Sequence, residues 1–307
     1  MIKKLLHFSF FIFLFSFAAH AFPIPYAVIP EDPRPGEHVA LGISAASGVK
    51  TAALYAGGKR LNRVAFFAVP GEDGRPSFLA AVMAVPSTAK PGSAAIVFEG
   101  SRGILGEVPL LISGRDFESE IIELTPALTS LRADYDPKKT SEANHLWSII
   151  NRTGKESYHY GSFISPVNST RRTSDFGGRR VYHYSNGSKD VSIHAGIDFG
   201  VPRGTEVYAC GAGKVVLARP RIVTGNSVII EHLPGFYSLY YHLETIEAAE
   251  GALVDAGALL GLSGATGLAT GPHLHWEIRV SGENCDPDAL MARPILDKDA
   301  ILSIIYP

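Results

Sequence analysis

His273-Leu274-His275-Trp276-Glu277-Ile278-Arg279-Val280 is the stretch from which the rest of the chain can be read. It reads as a β-strand. Strand side chains alternate with a period of two, so His273 and His275 point to one side and Glu277 continues that face. Two imidazoles on one face suit a single metal centre, one as ligand and the other handling a proton. An HxH pair alone is a weak signal, and Glu277 reads first as an ordinary strand residue, with support behind a ligand as the alternative.

Working outward, segments 206–208, 214–217, 227–231, 238–242 and 259–262 are further short strand-like runs. Gly211, Gly213, Gly225, Gly235, Gly257, Gly264, Gly267 and Gly271 mark tight connections between them. No long helix is expected here. The expectation is a glycine-rich, antiparallel all-β domain over 161–307.

Two other segments of this domain carry chemistry. In His194-Ala195-Gly196-Ile197-Asp198, a straight strand would hold the His and the Asp roughly 13 Å apart. Both reach one metal, at about 2 Å from each donor, only if the chain bends between them. Gly196 is the residue expected to permit that bend; alone, the motif also reads as a turn with a capping Asp. Tyr240-Tyr241-His242-Leu243 ends a strand-like run in a histidine that is, by itself, an ordinary packed or surface residue.

The first half differs. Runs at 39–43, 51–56, 64–69, 78–85, 94–99 and 108–112 alternate with Gly/Pro turns, which predicts a small antiparallel β-sandwich over 22–115. His38 is its only histidine, so a positioning or covering role is expected rather than catalysis. Residues 116–160 read as a connector with one helix, capped by Thr140 or Ser141 and running through Trp147 and Ile150, with Pro126 and Pro137 as breaks. Trp147 is expected to anchor that helix by packing.

Met1-Ile2-Lys3-Lys4, an apolar run to about Ala19 and the small-x-small triplet Ala19-His20-Ala21 have the order of a cleavable export signal, 1–21. With no later run of membrane-spanning length, an exported chain without a membrane span after cleavage is expected, in the periplasm, cell envelope or outside the cell. Cys210 and Cys285 then admit a disulfide or two buried thiols; spacing does not decide. A charged fraction of 19% and net charge of −2 argue against a nucleic-acid binder.

Four stretches in order, Ser174-Asp175-Phe176-Gly177-Gly178-Arg179, Ser192-Ile193-His194-Ala195-Gly196-Ile197-Asp198, Ser238-Leu239-Tyr240-Tyr241-His242-Leu243, and Gly264-Ala265-Thr266-Gly267 through Gly271-Pro272-His273-Leu274-His275-Trp276-Glu277, give the region from Phe163 to Leu290 a specific likeness. It resembles the peptidoglycan-cleaving zinc peptidases of the M23 family, the lysostaphin- and LytM-type endopeptidases. The resemblance implies one zinc per chain on His194, Asp198 and His275, with His242 and His273 as catalytic histidines. Two nitrogens and one carboxylate leave a tetrahedral zinc one open position for water or substrate. No HExxH helix occurs, so a Glu base on such a helix is not implied. The implied reaction is hydrolysis of amide bonds in peptidoglycan stems or cross-links by a metal-activated water. The alternative is a non-catalytic LytM-type module that binds the wall or activates an amidase. Arg179 matches the family motif and is a candidate for a substrate carboxylate, for packing or for an acidic partner. Residues 182–190 are polar and irregular and read as a groove-lining loop.

Overall fold

The structure is a computed structural model that describes residues 22–71 and 76–307; the expected export segment, 1–21, lies outside the described residues. Apolar runs between Gly/Pro turns build two four-stranded antiparallel sheets in the first half. One is ordered Tyr26–Ile29, His38–Ile43, Pro76–Ala84, Phe67–Pro70, the other Lys59–Ala65, Val49–Ala56, Gly92–Gly100, Gly103–Ile112. Val39, Leu41, Leu54, Met83, Ile96 and Phe98 fill the space between them. The run 64–69, expected as one strand, is divided: it ends one sheet at Ala65 and begins the other at Phe67. Val64 and Phe66 face the sandwich core, whereas Phe67 and Val69 pack on the cluster beneath the last helix, so the alternation carries across the point where the chain passes from one sheet to the other.

His38–Ile43 is buried along its whole length, because the sandwich does not face water on that side. Ala40, Phe78 and Ala80 pack against Ile301 and Ile305 of the last helix, Lys298–Ile305. Gly42 makes the approach possible, since a Cβ there would lie 2.2 Å from Ile301 Cγ2. An Arg115–Asp286 ion pair at 2.7 Å ties the same two halves together.

The region 116–160 holds more than the expected helix. Ser119–Glu123 is a strand, and helices run over Pro126–Ala133 and Pro137–Ile150. Pro126 and Pro137 start these helices rather than breaking the stretch: the first helical position needs no N–H donor and suits the fixed φ of proline. The caps are Thr125 and Asp136, so the second helix begins earlier than a cap at Thr140 or Ser141 would place it. Its Ile149 and Ile150 pack on Leu217, Ile229, Tyr237 and Leu239. Trp147 remains 46% exposed, with the Arg279 guanidinium over its ring, so it anchors the helix less than Ile149 and Ile150 do.

The second half is built on a large antiparallel sheet ordered Arg172–Ser174, Gly196–Phe199, Leu274–Val280, Phe236–Ile246, Gly225–Leu233, Gly213–Arg221, Leu253–Val254. Leu274, Trp276 and Ile278 point into the main core with Phe199 and Tyr240. By alternation His275 and Glu277 point out of the other face. Residues 182–190 form a loop only over 184–188, and their ends are strand. They belong to a hairpin, Arg179–His183 with Lys189–Ile193, to which Ser119–Glu123 adds a third, parallel strand. The pairing of Val181 with Val191 supplies the apolar contact that a merely polar reading overlooks.

Candidate metal centre

The central strand, Leu274–Val280, sets the site. In its register His275 lies opposite Asp198 on one neighbouring strand and Tyr241 on the other, which puts three side chains in a row on one face. The Tyr241 ring stacks on the His275 ring, centroids 5.5 Å apart and 6° from parallel. His194 arrives from a different sheet. Lys189–Ile193 belongs to the small three-stranded sheet and Gly196–Phe199 to the large one, so the chain crosses between them at His194 and Ala195. Two backbone hydrogen bonds, His194 N–H to Gly178 O and Gly177 N–H to His194 O, both 2.8 Å, hold the crossing in place.

The bend that the His194–Asp198 spacing requires is therefore present, but Gly196 has another task. Its φ is not in the left-handed region; a Cβ there would sit 2.1 Å from the Trp276 carbonyl oxygen. The glycine lets two strands come close enough for Asp198 and His275 to meet.

Three donor atoms converge. His194 Nε2 lies 3.1 Å from His275 Nδ1 and 3.1 Å from Asp198 Oδ1, and His275 Nδ1 lies 2.8 Å from the same oxygen. A tetrahedral zinc with donors at about 2.0–2.1 Å has donor–donor edges of roughly 3.3–3.4 Å, so this set needs to open by only a few tenths of an ångström. The surroundings fix the ring orientations. His194 Nδ1 donates to the Asp175 carbonyl at 2.8 Å, which leaves Nε2 as a lone pair. His275 Nε2 faces the buried Glu277 carboxylate at 3.4 Å, which leaves Nδ1 for the cluster. Glu277 thus supports a ligand, and Arg279 holds Glu277 in turn.

The cluster favours a positive charge at its centre. Burial opposes ionisation of Asp198, but its contacts with the His194 and His275 imidazoles outweigh it and hold the carboxyl well below the usual range. Burial would likewise depress His275, yet Asp198 and Glu277 raise its pKa to about 9. A divalent cation satisfies the same demand that the extra proton on His275 meets. The donor chemistry, two imidazoles and a carboxylate with supporting hydrogen bonds, suits zinc.

His242 and His273 stand beside this cluster, their ring centroids 4.7 Å apart. His273 precedes the strand, paired with Gly264 by an isolated bridge, and its Nε2 lies 3.8 Å from Asp198 Oδ1. Regular alternation from Tyr241 would send His242 to the opposite face. Instead the pairing with Gly225–Leu233 slips between Asn226 and Val228, and His242 takes φ = 63°, a left-handed conformation uncommon for a non-glycine residue. This bulge turns the ring toward the metal cluster. His242 Nδ1 donates to Thr266 O at 2.7 Å and His273 Nδ1 to Gly271 O at 2.8 Å, so each ring turns a free Nε2 away from its anchoring carbonyl. Burial, reinforced by His273 and His275, pulls His242 down to about 3 and keeps it neutral at pH 7.

Sequence reasoning overlooked Arg180, whose Nη2 donates to Asp198 Oδ2 at 2.5 Å. It had singled out Arg179, but neighbouring strand residues point opposite ways. Arg179 donates to the carbonyls of Gly177 and Ser87 and lies over the Phe117 ring, so its guanidinium joins the two halves of the chain. The cleft above the cluster has Ile122, Leu124 and Leu128 on one wall and Leu268 and Thr270 on the other. Cys210 and Cys285 are both buried free thiols, not a disulfide.

Residues 192–287 match the family model for Peptidase family M23. The chain is 43% identical over 118 residues to a Vibrio cholerae protein named Peptidoglycan DD-endopeptidase ShyA, across 38% of this chain and 27% of that protein. It is 38% identical over 137 residues to the Neisseria meningitidis DD-carboxypeptidase/endopeptidase Mpg, across 44% of this chain and 30% of that one. The matched region thus spans less than a third of the length of these curated relatives. A solved structure from Pseudomonas aeruginosa, described as a peptidase M23, superposes with a TM-score of 0.57 at 25% identity, covering 84% of this chain and 94% of that chain.

Proposed function

We propose that this protein, residues 192–287 of which match the family model for Peptidase family M23, is a zinc-dependent endopeptidase that hydrolyses amide bonds in the peptide stems or cross-links of peptidoglycan outside the cytoplasm. The observation that carries the reading is the convergence of His194 Nε2, Asp198 Oδ1 and His275 Nδ1 within 3.1 Å of one another, beside two neutral-capable imidazoles. Relatives named DD-endopeptidases support peptidoglycan as the substrate class. No helix among the described residues is long and apolar enough to cross a membrane.

When bound, zinc supplies Lewis-acid polarisation of the scissile carbonyl and brings deprotonation of water to near neutral pH. The chain's own residues do the rest. His194, Asp198 and His275 would hold the ion and leave one side open toward the cleft. His242 and His273, each anchored through Nδ1–H to a backbone carbonyl, present Nε2 as proton acceptors. One takes the proton from the attacking water at Nε2 and its protonated form returns it to the leaving amine; the other donates to the developing oxyanion when it enters the reaction as the imidazolium, protonated at Nε2. The apolar wall of Ile122, Leu124 and Leu128 limits water around the reacting carbonyl.

The test is digestion of purified sacculi with and without a chelator, followed by mass spectrometry of the released fragments. New amine and carboxyl termini at a cross-link, lost on chelation and restored by zinc, are expected. Termini that appear regardless of metal would overturn the mechanism.

A further inference from the structure

We propose that Glu120 is a positioning residue of the metal centre that braces two of its three ligands at once; the inference rests on the zinc reading above. Glu120 lies on Ser119–Glu123, a strand outside the segment that matches the family model. Parallel pairing sets it opposite Arg180. A single oxygen, Glu120 Oε1, accepts from Arg180 Nε at 2.5 Å and from Ser174 Oγ at 2.8 Å.

Each of those partners ends on a ligand. Arg180 Nη2 donates to Asp198 Oδ2 at 2.5 Å, which turns the other oxygen, Oδ1, toward the two histidines. Ser174 Oγ lies 3.1 Å from His194 Nδ1, the nitrogen opposite the donor atom. Because the serine hydroxyl donates to Glu120, its oxygen is left to accept a second, longer branch of the His194 Nδ1–H bond, whose nearer acceptor is the Asp175 carbonyl at 2.8 Å. The carboxylate thereby orients one ligand through a guanidinium and a second through a hydroxyl.

Charge gives the arrangement a second purpose. The Arg180 side chain is only 14% exposed and sits one carboxylate away from the position of a divalent cation. Unbalanced, it would repel that cation and draw electron density from Asp198. Glu120 offsets the charge, and its own carboxyl is held below the usual range because Arg180 and Ser174 outweigh the effect of burial. Glu123, three residues along, points away and bonds His183. The strand therefore provides its own control.

The experiment is a zinc competition titration against a chromophoric chelator, run on the full chain, with the absorption spectrum of the cobalt-substituted protein as a second readout. Loss of an outer partner of this kind typically weakens metal binding by about 10- to 100-fold. E120Q, which keeps the shape and removes the charge, is expected to weaken zinc within that range and to shift the cobalt spectrum; E123Q is expected to change neither. S174A severs only the His194 arm, so adding E120Q to it is expected to cost less than the two separate effects combined. Wild-type protein that takes up zinc, with E120Q matching it in affinity and spectrum, would overturn this inference alone. Equal weakening by E123Q would also overturn it, since the effect would then belong to the strand and not to the carboxylate. A wild-type chain that takes up no zinc would overturn the metal reading together with the inference.

Discussion

Gly196→Ala tests why the ligands meet. The residue sits in a strand paired on one side with Leu274–Val280, opposite Glu277, and its backbone conformation is open to alanine. The obstacle is space. The added methyl would lie 2.1 Å from Trp276 O, whereas an ordinary carbon–oxygen contact is about 3.3–3.6 Å, so the strands must separate by roughly 1.2–1.5 Å. Trp276 is fully buried and paired on both sides, and its carbonyl has little room to retreat. Overpacking of this kind costs about 1–3 kcal/mol, and the rigid sheet on both sides argues for the upper end. At roughly 2–4 °C per kcal/mol for large domains, melting should fall by about 5–10 °C. The same displacement acts two residues away on Asp198, where zinc tolerates errors of only about 0.2 Å in ligand distance. Thermal unfolding of the zinc-free protein and a zinc competition titration should therefore both shift. If the alanine variant melts with the wild type and binds zinc as tightly, close approach is not the reason for this glycine.

Four further outcomes are expected. H242A and H273A should retain zinc and lose about 10²- to 10⁴-fold in kcat on cross-linked muropeptides; zinc loss in either would reassign that histidine to the ligand set. D198N should abolish zinc binding at micromolar metal, and retention of a full equivalent would remove Asp198 from the donors. R179A should lower stability by roughly 1–3 kcal/mol, through its lost bonds to Ser87 and Gly177, with zinc affinity unchanged. Buried His38 is held down at about 4, by burial first and by Arg293 next, while the unfolded chain protonates it near 6.5. Its contribution is therefore complete above pH 6.5 and lost as pH falls toward 4. Denaturant unfolding of H38Q at pH 7 and pH 5 should show a smaller drop than wild type, and an identical drop would refute the assignment.

What was legible in the sequence was local. The alternation in His273–Val280 identified a strand and a shared face for its histidines, and short runs between glycines gave the β architecture of both halves. The prolines misled because position within a helix, not proline content, decides whether the residue breaks or begins it: both Pro126 and Pro137 occupy first turns behind the side-chain caps Thr125 and Asp136. The aim of His242 was not readable, since regular alternation points it the wrong way and only a bulge with a left-handed residue turns it back. Nor was Arg180 separable from Arg179 until the hairpin register assigned their faces. Glu120 was the least accessible, because a parallel pairing between distant segments leaves no short-range spacing to detect. A Cys210–Cys285 bridge, left open by composition, is not formed: each thiol is buried in its own surroundings.

The central claim concerns one ion and three atoms, and diffraction from zinc-loaded crystals measured on both sides of the zinc absorption edge addresses it directly. A single strong anomalous peak should appear about 2.0–2.2 Å from His194 Nε2, Asp198 Oδ1 and His275 Nδ1, with its remaining coordination directed into the cleft between His242 and His273. A peak bound by any other set of side chains, or no peak at this position at saturating zinc, would contradict the account.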